Sequence, residues 1–194
     1  MEALIVNDIL DDFVYGKLKS KKAASVIPRT KKLISAARRA KIPVIYVCDA
    51  HLDSDPEIKL WGPHAMKDSH GARVVDELKP RREDYVLEKR VYSSFHETGL
   101  DLLLRDLKVD SVVIVGLYTD ICVRHSAADA FFRGYRITIP RDCVESLADG
   151  ENEPSLEYLK KMYGARVVMS DSLVEHWYKL VANTLVHRPS AIND

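Results

Sequence analysis

Three residues far apart in the chain, Asp8, Lys89 and Cys122, have the types and settings from which a nucleophilic site is built. Cys122 follows the wholly apolar, β-branched run Val112–Val115, which reads as a strand buried in a parallel sheet and is broken by Gly116. Thr119 and Asp120 can each cap a helix, and Val123, Ala127, Ala130 and Phe131 give the stretch from Cys122 to Arg133 helical spacing. A strand, a turn and a helix thus put one thiol on a first helical turn. There the free N–H groups and the positive dipole end favour thiolate over thiol. Such a cysteine is a candidate nucleophile; the plainer alternative is a small buried hydrophobe. A nucleophilic thiol needs a base for its proton and a cation beside the sulfur. Asp8, two residues past Val6, can be that base if burial raises its pKa, and Lys89, two past Leu87, can be the cation. Taken singly, Asp8 could cap a turn and Lys89 could pair with Glu88 or Glu83 at the surface.

A second cluster lies between residues 49 and 70, which hold five acidic residues and three histidines. In an extended segment Asp49 and His51 point the same way, so both can reach one ion. Glu57 and His64 could complete its shell. Two imidazoles with one or two carboxylates suit Zn²⁺, Fe²⁺ or Mn²⁺, whereas a polar surface loop is the alternative for an Asp-x-His pair alone. His125, three residues beyond Cys122, competes as a base, but its spacing suits a structural contact. Cys48 and Cys143, at strand ends among apolar neighbours, read as core thiols.

These residues need elements to hold them. Strands are predicted at Ala3–Val6, Val44–Val47, Val86–Leu87, Val112–Val115, Ile137–Ile139 and Val167–Met169. Between them, Arg29–Ala40 is entered at Pro28 and left before Pro43, and Thr98–Leu107 opens on a Thr98/Asp101 capping box. Pro154–Tyr163 stops at Gly164, and Ser172 and Glu175 cap a last helix bearing Leu173, Trp177 and Leu180. This alternation predicts an α/β fold, a Rossmann-like three-layer αβα sandwich with a mainly parallel six-stranded sheet. Residues 1–181 form one domain and 182–194, without a clear period, a C-terminal tail. In open α/β sheets ligands bind beyond the carboxyl ends of the strands, and Asp8, Asp49, Lys89 and Cys122 all fall there.

The bulk numbers narrow the classes. The 194 residues are 46% apolar and 30% charged, and 29 Lys and Arg balance 29 Asp and Glu. That balance disfavours nucleic acid as a partner, and no apolar run approaches the roughly 18–20 residues of a membrane span. A strand begins almost at the first residue, leaving no room for a secretory signal. Three widely spaced cysteines make no disulfide framework. The chain reads as cytoplasmic.

Three segments together carry a family resemblance: Ala-Leu-Ile-Val-Asn-Asp-Ile-Leu-Asp-Asp-Phe at 3–13, Lys-Arg-Val-Tyr-Ser-Ser-Phe at 89–95, and Gly-Leu-Tyr-Thr-Asp-Ile-Cys-Val-Arg-His-Ser-Ala-Ala-Asp-Ala at 116–130. The chain resembles the isochorismatase-like cysteine hydrolases, the superfamily of nicotinamidases and N-carbamoylsarcosine amidases. The resemblance implies Asp8, Lys89 and Cys122 as catalytic triad, a cis peptide between Leu117 and Tyr118, and an oxyanion hole from the N–H groups of Tyr118 and Cys122. It further implies a divalent ion, zinc ahead of iron or manganese, on Asp49, His51 and His64, with Glu57 added as in some members. Phe13 and Trp61 would sandwich a flat substrate that Tyr92 also contacts. Asn7 and Leu10 stand where an apolar residue and a glutamine are more usual. The implied activity is hydrolysis of a small carboxamide through a thioester, with ammonia released and nicotinamide the leading substrate. An N-carbamoylsarcosine or ureido-type amidase is the alternative, and a non-catalytic metal- or ligand-binding member a further one. Homodimers or homotetramers are implied as well.

Overall fold

Successive strand residues face opposite sides of a sheet, and the first strand divides accordingly: Leu4 and Val6 join one apolar cluster, Ala3 and Ile5 another. The computed structural model describes residues 1–186. In chain order the main elements are β1 (Glu2–Asn7), α1 (Asp11–Val14), α2 (Ile27–Arg39), β2 (Val44–Asp49), α3 (Pro56–Trp61), β3 (Tyr85–Lys89) and α4 (Leu100–Asp106). There follow β4 (Ser111–Leu117), α5 (Arg124–Phe132), β5 (Arg136–Pro140), β6 (Val144–Glu145), α6 (Asn152–Tyr163), β7 (Arg166–Val168) and α7 (Ser170–Val186). The sheet runs β3-β2-β1-β4-β5-β7, with the short β6 against the end of β4, and every pairing is parallel. Leu33, Ile34 and Trp177, from α2 and α7, cover one face; Leu100, Leu104, Ala127, Ala130, Leu156 and Leu159, from α4, α5 and α6, cover the other. The three-layer α/β arrangement is the expected one. The six anticipated strands are all present, and β6 adds a seventh.

The register matters most at the carboxyl ends. Asp49 and Lys89 are direct partners across β2 and β3, and Asn7, just before Asp8, is opposite Val47 on one side and Gly116 on the other. At Gly116 the two backbones approach so closely that a Cβ would lie 1.8 Å from the carbonyl oxygen of Asn7, and its φ is +121°. Only glycine tolerates both conditions.

Several helix starts differ from the capping expected. Residues Thr119–Val123 form a π-helical turn before α5, and neither expected cap bonds it. The Thr119 hydroxyl instead donates to Asn152 Oδ1 at 2.7 Å, and Asp120 accepts from the Leu147 N–H at 3.2 Å. Thr98 does accept the Leu100 N–H, but Asp101 accepts from the Tyr135 hydroxyl rather than closing a box. The last helix opens at Ser170, which is held by Asp142, two residues ahead of the expected Ser172. That helix runs unbroken across position 182 to Val186; the rest of the anticipated 182–194 tail lies outside the described residues. Among the described residues no helix is long and apolar enough to cross a membrane.

The contact at position 116 has a direct consequence. Gly116→Ala should cost about 3 kcal/mol or more in urea unfolding monitored by circular dichroism. A loss below about 1 kcal/mol would mean that β1 and β4 separate freely there.

Candidate active site

Parallel strands end at one edge, and four of them deliver the chemistry in spatial order. Lys89 ends β3, Asp49 ends β2, Asp8 follows β1, and Cys122 lies in the turn after β4. The Lys89 side chain is buried, with Nζ 2.9 Å from Asp8 Oδ2, hydrogen-bonded to Asp49 Oδ1, and 3.7 Å from Cys122 Sγ. Asp8 Oδ1 accepts the Asp49 N–H at 2.8 Å. One oxygen each from Asp8 and Asp49 and the Cys122 sulfur lie within 4.8 Å of one another. Asp8 itself takes a left-handed φ of +46°, and the peptide between Leu117 and Tyr118 is cis.

Burial dominates the electrostatics. It pushes the Asp8 carboxyl up to about 7, helped by the nearby Asp49 charge and opposed by Lys89. Asp49 is also buried, yet the Lys89 ammonium and His51 outweigh that and hold it below its ordinary value. Burial opposes the Lys89 charge too, but Asp49 and Asp8 keep the ammonium well above its usual pKa. For Cys122, burial wins over Lys89, so its pKa lies well above the ordinary thiol value. This differs from the thiolate expected at a helix start: removal from water favours the neutral thiol.

Asp49 connects this group to a second. Single donor atoms from Asp49, His51, Glu57 and His64 lie within 4.8 Å of one another, all four residues buried. His51 Nε2 is 3.5 Å from Asp49 Oδ2 and 3.7 Å from Glu57 Oε2. The Nδ1 of His64 is 2.8 Å from the Gly62 carbonyl, which leaves its Nε2 free to ligate. Asp49 Oδ2, His51 Nε2 and Glu57 Oε1 are buried with no hydrogen-bond partner among the described residues. Buried polar atoms without partners are rare, and a divalent ion would satisfy this set of nitrogen and oxygen donors. Burial and Asp49 raise the Glu57 carboxyl to about 7, while burial lowers His64 and favours the neutral imidazole that a metal needs.

Both groups border one small pocket, lined by Phe13, Trp61, Tyr92, Leu117, Tyr118 and Cys122, with Asp49, Glu57 and His64 on one side. Leu18, Ile121 and Leu147 complete its walls, and among the described residues no lysine or arginine lines it. The Phe13 ring meets His64 and Tyr118 edge-on, with centroids 5.7 and 5.8 Å away. Trp61 donates its indole N–H to the Tyr92 hydroxyl at 2.9 Å. Of the site residues anticipated from the sequence, Phe13, Asp49, Glu57, Trp61, His64, Tyr92, Tyr118 and Cys122 line this pocket, while Lys89 contacts Asp49, Cys122 and Asp8 behind it and His51 lies beside Asp49 and Glu57. His125 makes the structural contact that its spacing suggested: its Nδ1 lies 2.7 Å from the Ile121 carbonyl. Cys48 and Cys143 are buried, and burial pushes both thiols up.

The sequence reading missed Asp55, which touches His51, and Arg90, which holds Asp55. The spacing of four between His51 and Asp55 was the available signal. It also missed a buried link behind the site: Asn7 bonds Ser126 and Ser94, and Ser126 accepts the Ser94 N–H. Asn7, the departure from the usual apolar residue, thereby ties the end of β1 to α5.

Known proteins share this fold. An N-carbamoylsarcosine amidase from Thermoplasma acidophilum is 44% identical, with a TM-score of 0.83 over 88% of this chain and 96% of its own. A nicotinamidase from Bacillus subtilis is 31% identical, with a TM-score of 0.81 over 86% of this chain and 98% of its own. A pyrazinamidase of Pyrococcus horikoshii, solved in complex with zinc, is 27% identical, with a TM-score of 0.81 over 87% and 98%. The isochorismatase domain model matches residues 2–172, and with nearly the whole fold inside that match, the chain belongs to the isochorismatase family.

Proposed function

We propose that this protein is a cysteine amidohydrolase of small, neutral carboxamides, with nicotinamide as the substrate its pocket suits best. The observation that carries the reading is the Cys122 sulfur in the wall of an aromatic pocket, with the Lys89 ammonium 3.7 Å away and an Asp8 oxygen within 4.8 Å. Asp8, as carboxylate, takes the thiol proton, and the sulfur adds to the amide carbonyl carbon. The N–H groups of Tyr118 and Cys122 receive the developing oxyanion, an interaction typically worth ~3–4 kcal/mol per donor. Protonated Asp8 returns its proton to the amide nitrogen, the C–N bond breaks and ammonia leaves a thioester. Water, losing a proton to Asp8, then releases the carboxylic acid, and the thiol is restored. Lys89 holds both carboxylates in place and neutralises charge beside the sulfur throughout.

Asp49, His51, Glu57 and His64 would hold a divalent ion, zinc by likeness to the Pyrococcus horikoshii structure, which supplies a Lewis-acidic anchor for a ring nitrogen. Phe13 and Trp61 supply flat apolar surface for an aromatic ring, with Tyr92 at the rim. A substrate bearing its own carboxylate would find no lysine or arginine in the lining among the described residues. The 44% identity to an N-carbamoylsarcosine amidase favours a second reading, an N-carbamoyl or ureido compound as substrate. Ammonia release from nicotinamide, N-carbamoylsarcosine and ureidoacrylate separates the two. A kcat/KM for nicotinamide below that for either ureido compound would overturn the first.

Three outcomes are expected. Cys122→Ala should lose activity by about 10⁴-fold or more with melting unchanged; surviving turnover would remove Cys122 as nucleophile. Only ionised Asp8 accepts a proton, and its pKa is raised from 3.8 to about 7. The pH profile of kcat/KM should therefore rise with pH through an apparent pKa near 7, not near 4. An acid limb below pH about 5 would contradict this base. Elemental analysis should find one zinc per chain, lost together with nicotinamide hydrolysis on chelation and restored by added zinc; full activity without metal would sink its role.

A further inference from the structure

We infer that Asp55, clamped by Arg90, is a positioning residue that sets the orientation and tautomer of His51 as a metal ligand. The inference rests on the metal reading above and adds to it two residues that touch neither the ion nor the substrate pocket.

Asp55 lies just before α3 and is buried along with His51. Its Oδ2 is 3.2 Å from His51 Nδ1 and accepts the Leu52 N–H at 2.9 Å. Its Oδ1 accepts from Arg90 Nε at 2.9 Å and from the same guanidinium's Nη2. A carboxylate only accepts, so the hydrogen between Asp55 and His51 belongs to Nδ1. The remaining ring nitrogen, Nε2, then points at Asp49 and Glu57 and has no hydrogen-bond partner among the described residues. An outer carboxylate that fixes one imidazole nitrogen so that the other can ligate is a recurrent device at metal sites. His64 reaches the same state through a main-chain carbonyl, that of Gly62.

Arg90 makes the arrangement specific. Two of its donors converge on Asp55 Oδ1, leaving Oδ2 to His51 and the Leu52 N–H; the point charge of an ammonium would not reproduce that paired, planar contact. It directly follows Lys89, so the end of β3 governs both halves of the site: Lys89 fixes Asp8 and Asp49, and Arg90 fixes Asp55. Asp55 and Arg90 line an outer groove with Leu52, Pro56, Val91 and His96, whereas neither lines the pocket that contains Cys122. A change at either residue should therefore reach the metal first.

The test is zinc affinity of the full chain, measured by competition with a chromophoric chelator, for the wild type, Asp55→Ala, Arg90→Ala and Arg90→Lys. Asp55→Ala should bind zinc about 10–100-fold more weakly. Arg90→Ala should show a smaller loss that Arg90→Lys restores only in part. Alkylation of Cys122 by iodoacetamide in the metal-free proteins should keep the wild-type rate, which a general loosening of the fold would not. Nitrogen-15 NMR of the zinc-loaded wild type should show His51 protonated at Nδ1. The half-exposed Arg90 keeps the test valid should Asp55→Ala fail to fold. Zinc affinities of the variants within about two-fold of wild type would overturn this inference alone. A wild type that binds no zinc would overturn it together with the metal reading.

Discussion

One buried ammonium holds this site together. Lys89 contacts two carboxylates and a sulfur at once, far from water, and each partner comes from a different strand end. Two buried carboxylates this close repel one another, and taking either from water is costly. A cation between them offsets both penalties, and removing one partner of such a buried set typically costs ~3–5 kcal/mol. The register makes this possible without adjustment, because Asp49 and Lys89 are already paired residues of neighbouring strands. Asp8 needs one departure, a left-handed backbone just past β1, to join them.

The same charge balance divides labour between chemically similar groups. Asp49 stays ionised because the Lys89 ammonium lies against it, and it belongs equally to the sulfur's surroundings and to the cluster with His51, Glu57 and His64. Asp8, with less support, is driven toward neutrality. One carboxylate is thereby held as a fixed charge and the other left able to exchange a proton. In the proposed reaction the buried thiol complements this, since burial disfavours a free-standing thiolate and so calls for a base such as Asp8 to take its proton.

Much of this was legible in the chain itself. Asp8, Asp49 and Lys89 end or directly follow apolar β-branched runs, so a parallel sheet had to gather them at one edge. The Asp49-x-His51 pair followed from strand alternation. What escaped depends on contacts between distant segments. Thr119 and Asp120 resemble caps, but Asn152 and the Leu147 amide were better partners, so the chain after β4 winds as a π turn instead. The two-residue β6 has too little pattern to stand out and exists because the end of β4 is there to pair with it. Asp55 and Arg90 are ordinary surface residue types, and only the folded arrangement brings them behind His51.

The Tyr118 side chain carries one last implication. Its hydroxyl sits between the carbonyls of Phe13 and Leu18 and accepts the Ser20 N–H at 3.0 Å. All these partners are main-chain atoms, so the loop that furnishes one wall of the cavity is anchored independently of the side chains it displays. Selectivity and reactivity are thus written on separable parts of the molecule. Mutation can redraw the silhouette presented by positions 13 and 18 while the strand ends go on performing the same reaction.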